Sequence, residues 1–268
     1  MPQQIYFTIL LLALTGSACG PKPQSSKGQT CQAIWGLDSV INHGKVLLLG
    51  ELHGTQEAPH YVAQTACLAL KYGVSVTVGL ELPYSEEETI EAFMNGEVEQ
   101  ATILGLPFWA KEYQDGRTSQ AMFTLLATLR QYRAEGGDIQ VVLIDDPKAE
   151  DRDFAMAQRV IAEASKKPHR YYIVLTGNHH TLIEEGTGHM GSYIVEYLGR
   201  ERVTALNQAY RGGSAWLDIA GTTPGPVSLG GVGRAGVGVL LGEHAPGYHG
   251  TFEMDSIHYS PPAKHWLN

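Results

Sequence analysis

Four apolar, β-rich runs in this chain each break off into residues suited to chemistry, and that arrangement limits what it can fold into. Residues 45–50 run into Glu51-Leu52-His53, 74–80 into Glu81, 139–144 into Asp145-Asp146, and 171–176 into Gly177-Asn178-His179-His180. Short continuous apolar runs bounded by turn residues are the pattern of parallel strands covered on both faces. Helical stretches separate them, at 57–72, 85–96, 119–135, 150–165 and 192–198, with a further strand at 203–206. Strands alternating with helices predict right-handed βαβ units and therefore an α/β fold, a largely parallel sheet flanked by helices. Sites in such sheets form outside the carboxyl ends of the strands, so the four polar strand ends are expected to converge on one crevice.

The first thirty residues read differently. Residues 5–14 are an apolar stretch too short to span a bilayer and of the length of a signal-peptide core. It leads to Gly16-Ser17-Ala18 and Cys19, which resembles a lipobox whose Cys is acylated after cleavage; the alternative is an ordinary secretion signal. The expected organisation is a signal peptide at 1–18, a lipidated Cys19 with a polar linker at 19–30, and one domain over 31–268. This implies a cell-envelope location, as an outer-membrane lipoprotein facing periplasm or exterior, or otherwise a secreted or periplasmic protein. The membrane is then a partner only through the lipid anchor. Cys31 and Cys67 remain, and an even pair in an exported protein reads as a disulfide, with two separate buried thiols as the alternative.

A formal net charge of −9 argues against a nucleic-acid partner, which needs a basic face to neutralise phosphates. Gly231-Val232-Gly233-Arg234-Ala235-Gly236 matches the spacing of a dinucleotide-binding loop, but the glycines continue into Val237-Gly238 with no helix to follow. Residues 221–250 are instead expected to be a flexible loop near the crevice mouth, followed by an edge or closing strand at 252–259. No Gly-x-Ser-x-Gly elbow, His-Glu-x-x-His helix or phosphate loop is present, and Ser214 is read as structural.

The strand ends supply the candidate chemistry. Glu51 and His53 flank Leu52 and point the same way from an extended strand end, where they can share a divalent ion or a proton. Glu81 ends an apolar strand, and a carboxylate there is costly unless paired. In Gly177-Asn178-His179-His180 consecutive side chains point in opposite directions, so one His can enter the site while the other faces out. Asp145 precedes a second acid and Pro147; one of the pair is expected at the site and the other as a cap.

The segments Leu48-Leu49-Gly50-Glu51-Leu52-His53-Gly54-Thr55, Gly79-Leu80-Glu81-Leu82-Pro83, Arg152-Asp153-Phe154-Ala155-Met156-Ala157 and Thr176-Gly177-Asn178-His179-His180 occur in an order that resembles a broad superfamily. It joins the erythromycin esterases, the ChaN haem-uptake lipoproteins and the Tiki-like metalloproteases, and the resemblance covers nearly all of 31–268. Esterase relatives activate water with a His and a Glu, which would be His53 and Glu81. Tiki relatives carry Gly-x-x-His motifs at a metal centre, matched by Gly50 to His53 and Gly177 to His180. ChaN relatives are lipoproteins that bind haem, which suits Cys19.

The resulting expectation is a site of Glu51, His53, Glu81 and His180 acting as catalytic groups, as ligands of a divalent metal ion, or as both. Arg117, Asp145 and His179 are candidate contacts to a small-molecule or peptide substrate. Hydrolysis of an ester, lactone or amide is the first functional reading. Haem binding by an uptake lipoprotein is the alternative, with Tyr248 or His249 as candidate ligands.

Overall fold

A computed structural model of the chain describes residues 31–219, 222–233, 236–242 and 245–267. The expected signal peptide, Cys19 and the linker lie outside these residues. The elements run β1 (Val46–Glu51), α1 (Glu57–Lys71), β2 (Val76–Pro83), α2 (Glu87–Met94), α3 (Gln100–Leu104), α4 (Gln120–Ala134), β3 (Ile139–Asp145), α5 (Arg152–Lys166), β4 (Tyr171–Gly177), α6 (Met190–Leu198) and β5 (Val203–Tyr210). Four strands follow: β6 (Gly212–Leu217), β7 (Gly225–Gly230), β8 (Gly238–Leu241) and β9 (Gly250–Met254).

Seven strands form one sheet in the order β3-β2-β4-β1-β5-β9-β8, and every neighbouring pair is parallel except β8 with β9. This is the expected α/β architecture. Strand alternation divides the core in two. Leu47, Leu49, Val78, Leu80, Ile173 and Leu175 face one cluster with residues of α1, α2 and α4, while Val46, Leu48, Tyr172 and Val174 face the other with α5 and α6. Because both faces are covered, β1 and β2 are buried along their whole length, which is why they read as unbroken apolar runs.

The helix starts follow local chemistry. Ser119 accepts a hydrogen bond from the Met122 N–H ahead of α4, and Asp151 accepts one from the Phe154 N–H ahead of α5, each satisfying an otherwise orphaned donor. At the amino ends of the strands, buried Arg170 ties the sheet together through Thr77 Oγ1 (2.8 Å) and Asp138 Oδ1 (2.7 Å). Cys31 and Cys67 form a disulfide that fastens the chain entering the domain to α1.

Two expectations fail after β5. Residues 221–250 are not a loop throughout: β7 pairs antiparallel with β6 as a separate hairpin, and β8 joins the main sheet. The strand expected over 252–259 is not at the edge either. It is β9, lying between β5 and β8, and its residues are all buried. Glycine and proline masked these strands because β7 and β8 are short, and β7 alternates between half-buried and exposed positions. Among the described residues, no helix is long and apolar enough to cross a membrane.

Candidate functional site

Strand order places the polar ends in a row. β3, β2, β4 and β1 are neighbours, so Asp145, Glu81, the turn after Gly177 and Glu51 line one edge of the sheet. Glu51, Glu81 and Asp145 are all buried, and they form the floor. A one-residue bulge in β2, where Leu80 pairs with Leu143 but Pro83 with Asp145, falls in the stretch that carries Glu81.

His53 lies between two carboxylates. Its Nδ1 is 2.9 Å from Glu51 Oε1 and its Nε2 is 3.4 Å from Glu81 Oε2. Burial alone would lower the proton affinity of this imidazole, but the charge of Glu81 and the hydrogen bonds to both acids outweigh it and raise its pKa to about 10. Burial pushes Glu51 up as well, and Glu51 Oε2 has no hydrogen-bond partner. Burial would raise Glu81 too; His53 and Arg117 overcome it and hold that carboxylate well below the usual range.

Glu81 is the hub. Its Oε1 accepts from Arg152 (2.6 Å) and Arg117 (3.1 Å), and its Oε2 accepts from the Gly177 N–H (2.7 Å). The same two guanidinium groups hold Asp145, Arg152 through Nε (2.6 Å) and Arg117 through a terminal nitrogen (3.2 Å). Arg117 is anchored from behind by two donors to Asp115 Oδ2, at 3.0 and 2.6 Å. The turn that carries it depends on Gly116, whose φ is 96°; a Cβ there would lie 2.3 Å from the Gly54 nitrogen, so only glycine lets this loop close against the turn after His53.

His180 completes the group. It sits in the short turn Asn178–Thr181, with Nδ1 2.9 Å from Asp153 Oδ1 and Nε2 3.3 Å from an Arg152 nitrogen and 3.8 Å from Glu81 Oε1. Asp153 also accepts from the Met190 N–H at the start of α6 (2.7 Å).

The structure therefore brings together Glu51, His53, Glu81, His180, Asp145 and Arg117. His179 is exposed, and no side-chain hydrogen bond or ion pair among the described residues joins it to this group. Asp146 binds the Lys148 N–H in the following turn, as a cap would. Arg117 pairs with internal acids, where a free substrate contact was expected. Arg152, Asp153 and Asp115 escaped assignment from sequence. The signal for Arg152 and Asp153 was the charged run Asp151-Arg152-Asp153 at a helix start just past a strand end, which reads equally well as helix capping.

A metal does not fit this donor set. Two guanidinium groups bridge Glu81 and Asp145, and one of them, Arg152, also meets His180, so positive charge already stands where a cation would bind these groups, and every oxygen of Glu81 already serves a hydrogen-bond donor. Among the described residues, no group of three or more His, Cys, Asp or Glu is arranged to hold one. The haem candidates are committed elsewhere: the Tyr248 hydroxyl donates to the Asn178 carbonyl (2.7 Å) and His249 Nδ1 accepts from the Ala205 N–H (3.0 Å), fixing the approach to β9.

No family profile and no curated protein matches the chain. Among solved structures, a Bacillus cereus protein is 10% identical with a TM-score of 0.62 over 84% of this chain and 92% of its own. A succinoglycan biosynthesis protein is 11% identical with a TM-score of 0.56, over 84% of this chain and 90% of its own. ChaN of Campylobacter jejuni, described for cofacial haem binding, is 12% identical with a TM-score of 0.42 over 72% of this chain and 91% of its own, too low a similarity to bear on the site. The first two likenesses show a shared fold and nothing finer.

Proposed function

We propose that this protein is a metal-independent hydrolase of the cell envelope that opens an ester, lactone or amide bond by acid–base chemistry. One observation carries the reading: two imidazoles, each held at Nδ1 by a carboxylate, turn Nε2 toward the same Glu81, at 3.4 and 3.8 Å. A carboxylate at Nδ1 orients a histidine and leaves Nε2 to move protons, which is the working half of many hydrolytic sites. Arg117 and Arg152 supply positive charge beside those nitrogens, where the oxyanion of a tetrahedral intermediate would develop.

The floor is buried while His53 and His180 remain about one-fifth exposed, so a substrate carbonyl can reach the imidazoles from the crevice mouth. Export and a lipid anchor at Cys19 belong to the same proposal. The Cys31–Cys67 disulfide supports them, since such bonds persist in oxidising compartments. The test is a panel of esters, lactones and peptides offered to the purified chain with a chelator present. Turnover of any of them, lost in Glu81→Gln, supports the reading. A Soret shift with haemin and no turnover would favour the haem-uptake alternative instead.

A further inference from the structure

We propose that the two crevice histidines hold fixed and opposite proton roles, His53 as donor and His180 as acceptor, and that Asp153 is the positioning residue that makes His180 the acceptor. The proposal rests on the hydrolytic reading above and assigns its acid and its base.

Hydrogen-bond complementarity carries it. A guanidinium has donors and no acceptor, so a ring nitrogen that bonds to one must present its lone pair. His180 Nε2 lies 3.3 Å from the Arg152 nitrogen, and Glu81 Oε1, at 3.8 Å, is beyond hydrogen-bond reach. The other nitrogen, Nδ1, faces Asp153 Oδ1 at 2.9 Å and must carry the proton. His180 is thus neutral, protonated at Nδ1, with its Nε2 lone pair in the crevice. Which nitrogen is protonated is set by the hydrogen bond the other makes. Asp153 can impose that choice because the Met190 N–H pins the same oxygen at 2.7 Å. His53 contrasts at both ends: a carboxylate oxygen faces Nδ1 at 2.9 Å in a hydrogen bond and another faces Nε2 at 3.4 Å in an ion pair, so each nitrogen has an acceptor for a proton.

The chemistry balances on these roles. As the oxygen of a water forms a bond to the substrate carbonyl carbon, Arg152 passes its N–H from His180 Nε2 to the carbonyl oxygen that receives the π pair, and the lone pair this frees on Nε2 takes one of the water's protons. When the intermediate collapses, the bond to the leaving oxygen or nitrogen breaks, and that atom takes the proton from His53 Nε2. The water has been divided between the two products. His180 is left with an extra proton and His53 lacks one; both rings are about one-fifth exposed, so solvent in the crevice takes the one proton and returns the other.

Ring-nitrogen NMR of the ¹⁵N-labelled chain at neutral pH reads both states without any substrate, with His53→Gln and His180→Gln used for assignment. The expected spectrum shows His180 with a protonated Nδ1 and a bare Nε2, and His53 protonated at both nitrogens. Asp153→Ala is expected to release His180 from the Nδ1–H form and, on any ester the wild type turns over, to lower kcat about 100-fold with KM little changed. Asp153→Glu is expected to restore part of both. A wild-type His180 protonated at Nε2, or a His53 with a bare nitrogen, overturns the proposal. An unchanged His180 spectrum in a folded Asp153→Ala chain removes Asp153 from its role. The stated spectra without any turnover would leave the proton roles standing and end the hydrolytic reading.

Discussion

Gly50 lies so close to Thr181 that a Cβ added to it would sit 2.2 Å from the Thr181 hydroxyl oxygen. It would also lie 2.9 Å from the Asn178 Cα. Gly50 is the next-to-last residue of β1, and the turn it touches carries His180. Gly50→Ala is therefore expected to push that turn away from the sheet, at a cost of about 1–3 kcal/mol from overpacking. The displacement should cost activity beyond what the stability loss explains, measured as kcat on the folded fraction alongside a melting curve.

Glu81 is the most exposed to mutation of the buried acids, in energetic terms, because two arginines, a histidine and a backbone N–H converge on it. Glu81→Gln leaves the guanidinium groups short of a counter-charge and sets an amide donor against other donors. Removing one partner of a buried ion pair costs about 3–5 kcal/mol. A lowered denaturant midpoint with an unchanged slope is the expected result. Arg117→Lys should also lower the midpoint, since Lys cannot reproduce the fork that spans Asp115, Glu81 and Asp145.

The pH dependence of stability should carry the signature of His53. Its proton affinity is raised on folding, from 6.5 to about 10, so its contribution is complete below 6.5 and is lost as pH rises through about 10. Glu81 works in the opposite sense: its depressed pKa gives stability present above 4.5 and lost as pH falls. The melting temperature of the wild type is expected to decline from pH 6.5 to 10 more steeply than that of His53→Gln. Equal slopes across that window would mean that His53 is not charged in the folded protein.

Reducing the Cys31–Cys67 bond should loosen the attachment of the entering chain to α1. The cysteines are 36 positions apart, and closing a loop of that length is worth about 3–4 kcal/mol in the chain-entropy account. A reductant should lower the melting temperature of the wild type and leave Cys31→Ser/Cys67→Ser unchanged.

Much of this architecture is legible in the residues themselves. The strands ending at Glu51, Glu81, Asp145 and Gly177 announce themselves because burial on both faces demands unbroken apolar runs, and their polar ends can then only meet at one edge. Arg152 and Asp153 stay hidden for a physical reason: charged residues in the first turn of a helix are ordinary as solvated caps, and only the packing of α5 against β3 and α6 turns them inward. The metal expectation meets the same difficulty, since the sequence shows the carboxylates and imidazoles without showing that two guanidinium groups lie among them. The hairpin of β6 and β7 and the edge strand β8 stay hidden because their glycines, which carry no apolar pattern, are what let them pass close to neighbouring backbone, as where a Cβ on Gly213 would lie 1.9 Å from the Ile257 carbonyl oxygen.

Turnover of the ester, lactone and peptide panel by the purified chain in excess chelator, wild type beside Glu81→Gln, tests the central claim most directly. The expected result is hydrolysis of at least one substrate at a rate the chelator does not alter, and its loss in a Glu81→Gln variant that still melts cooperatively. Hydrolysis that disappears with chelator and returns with a divalent ion would contradict the account, as would equal rates in the two proteins.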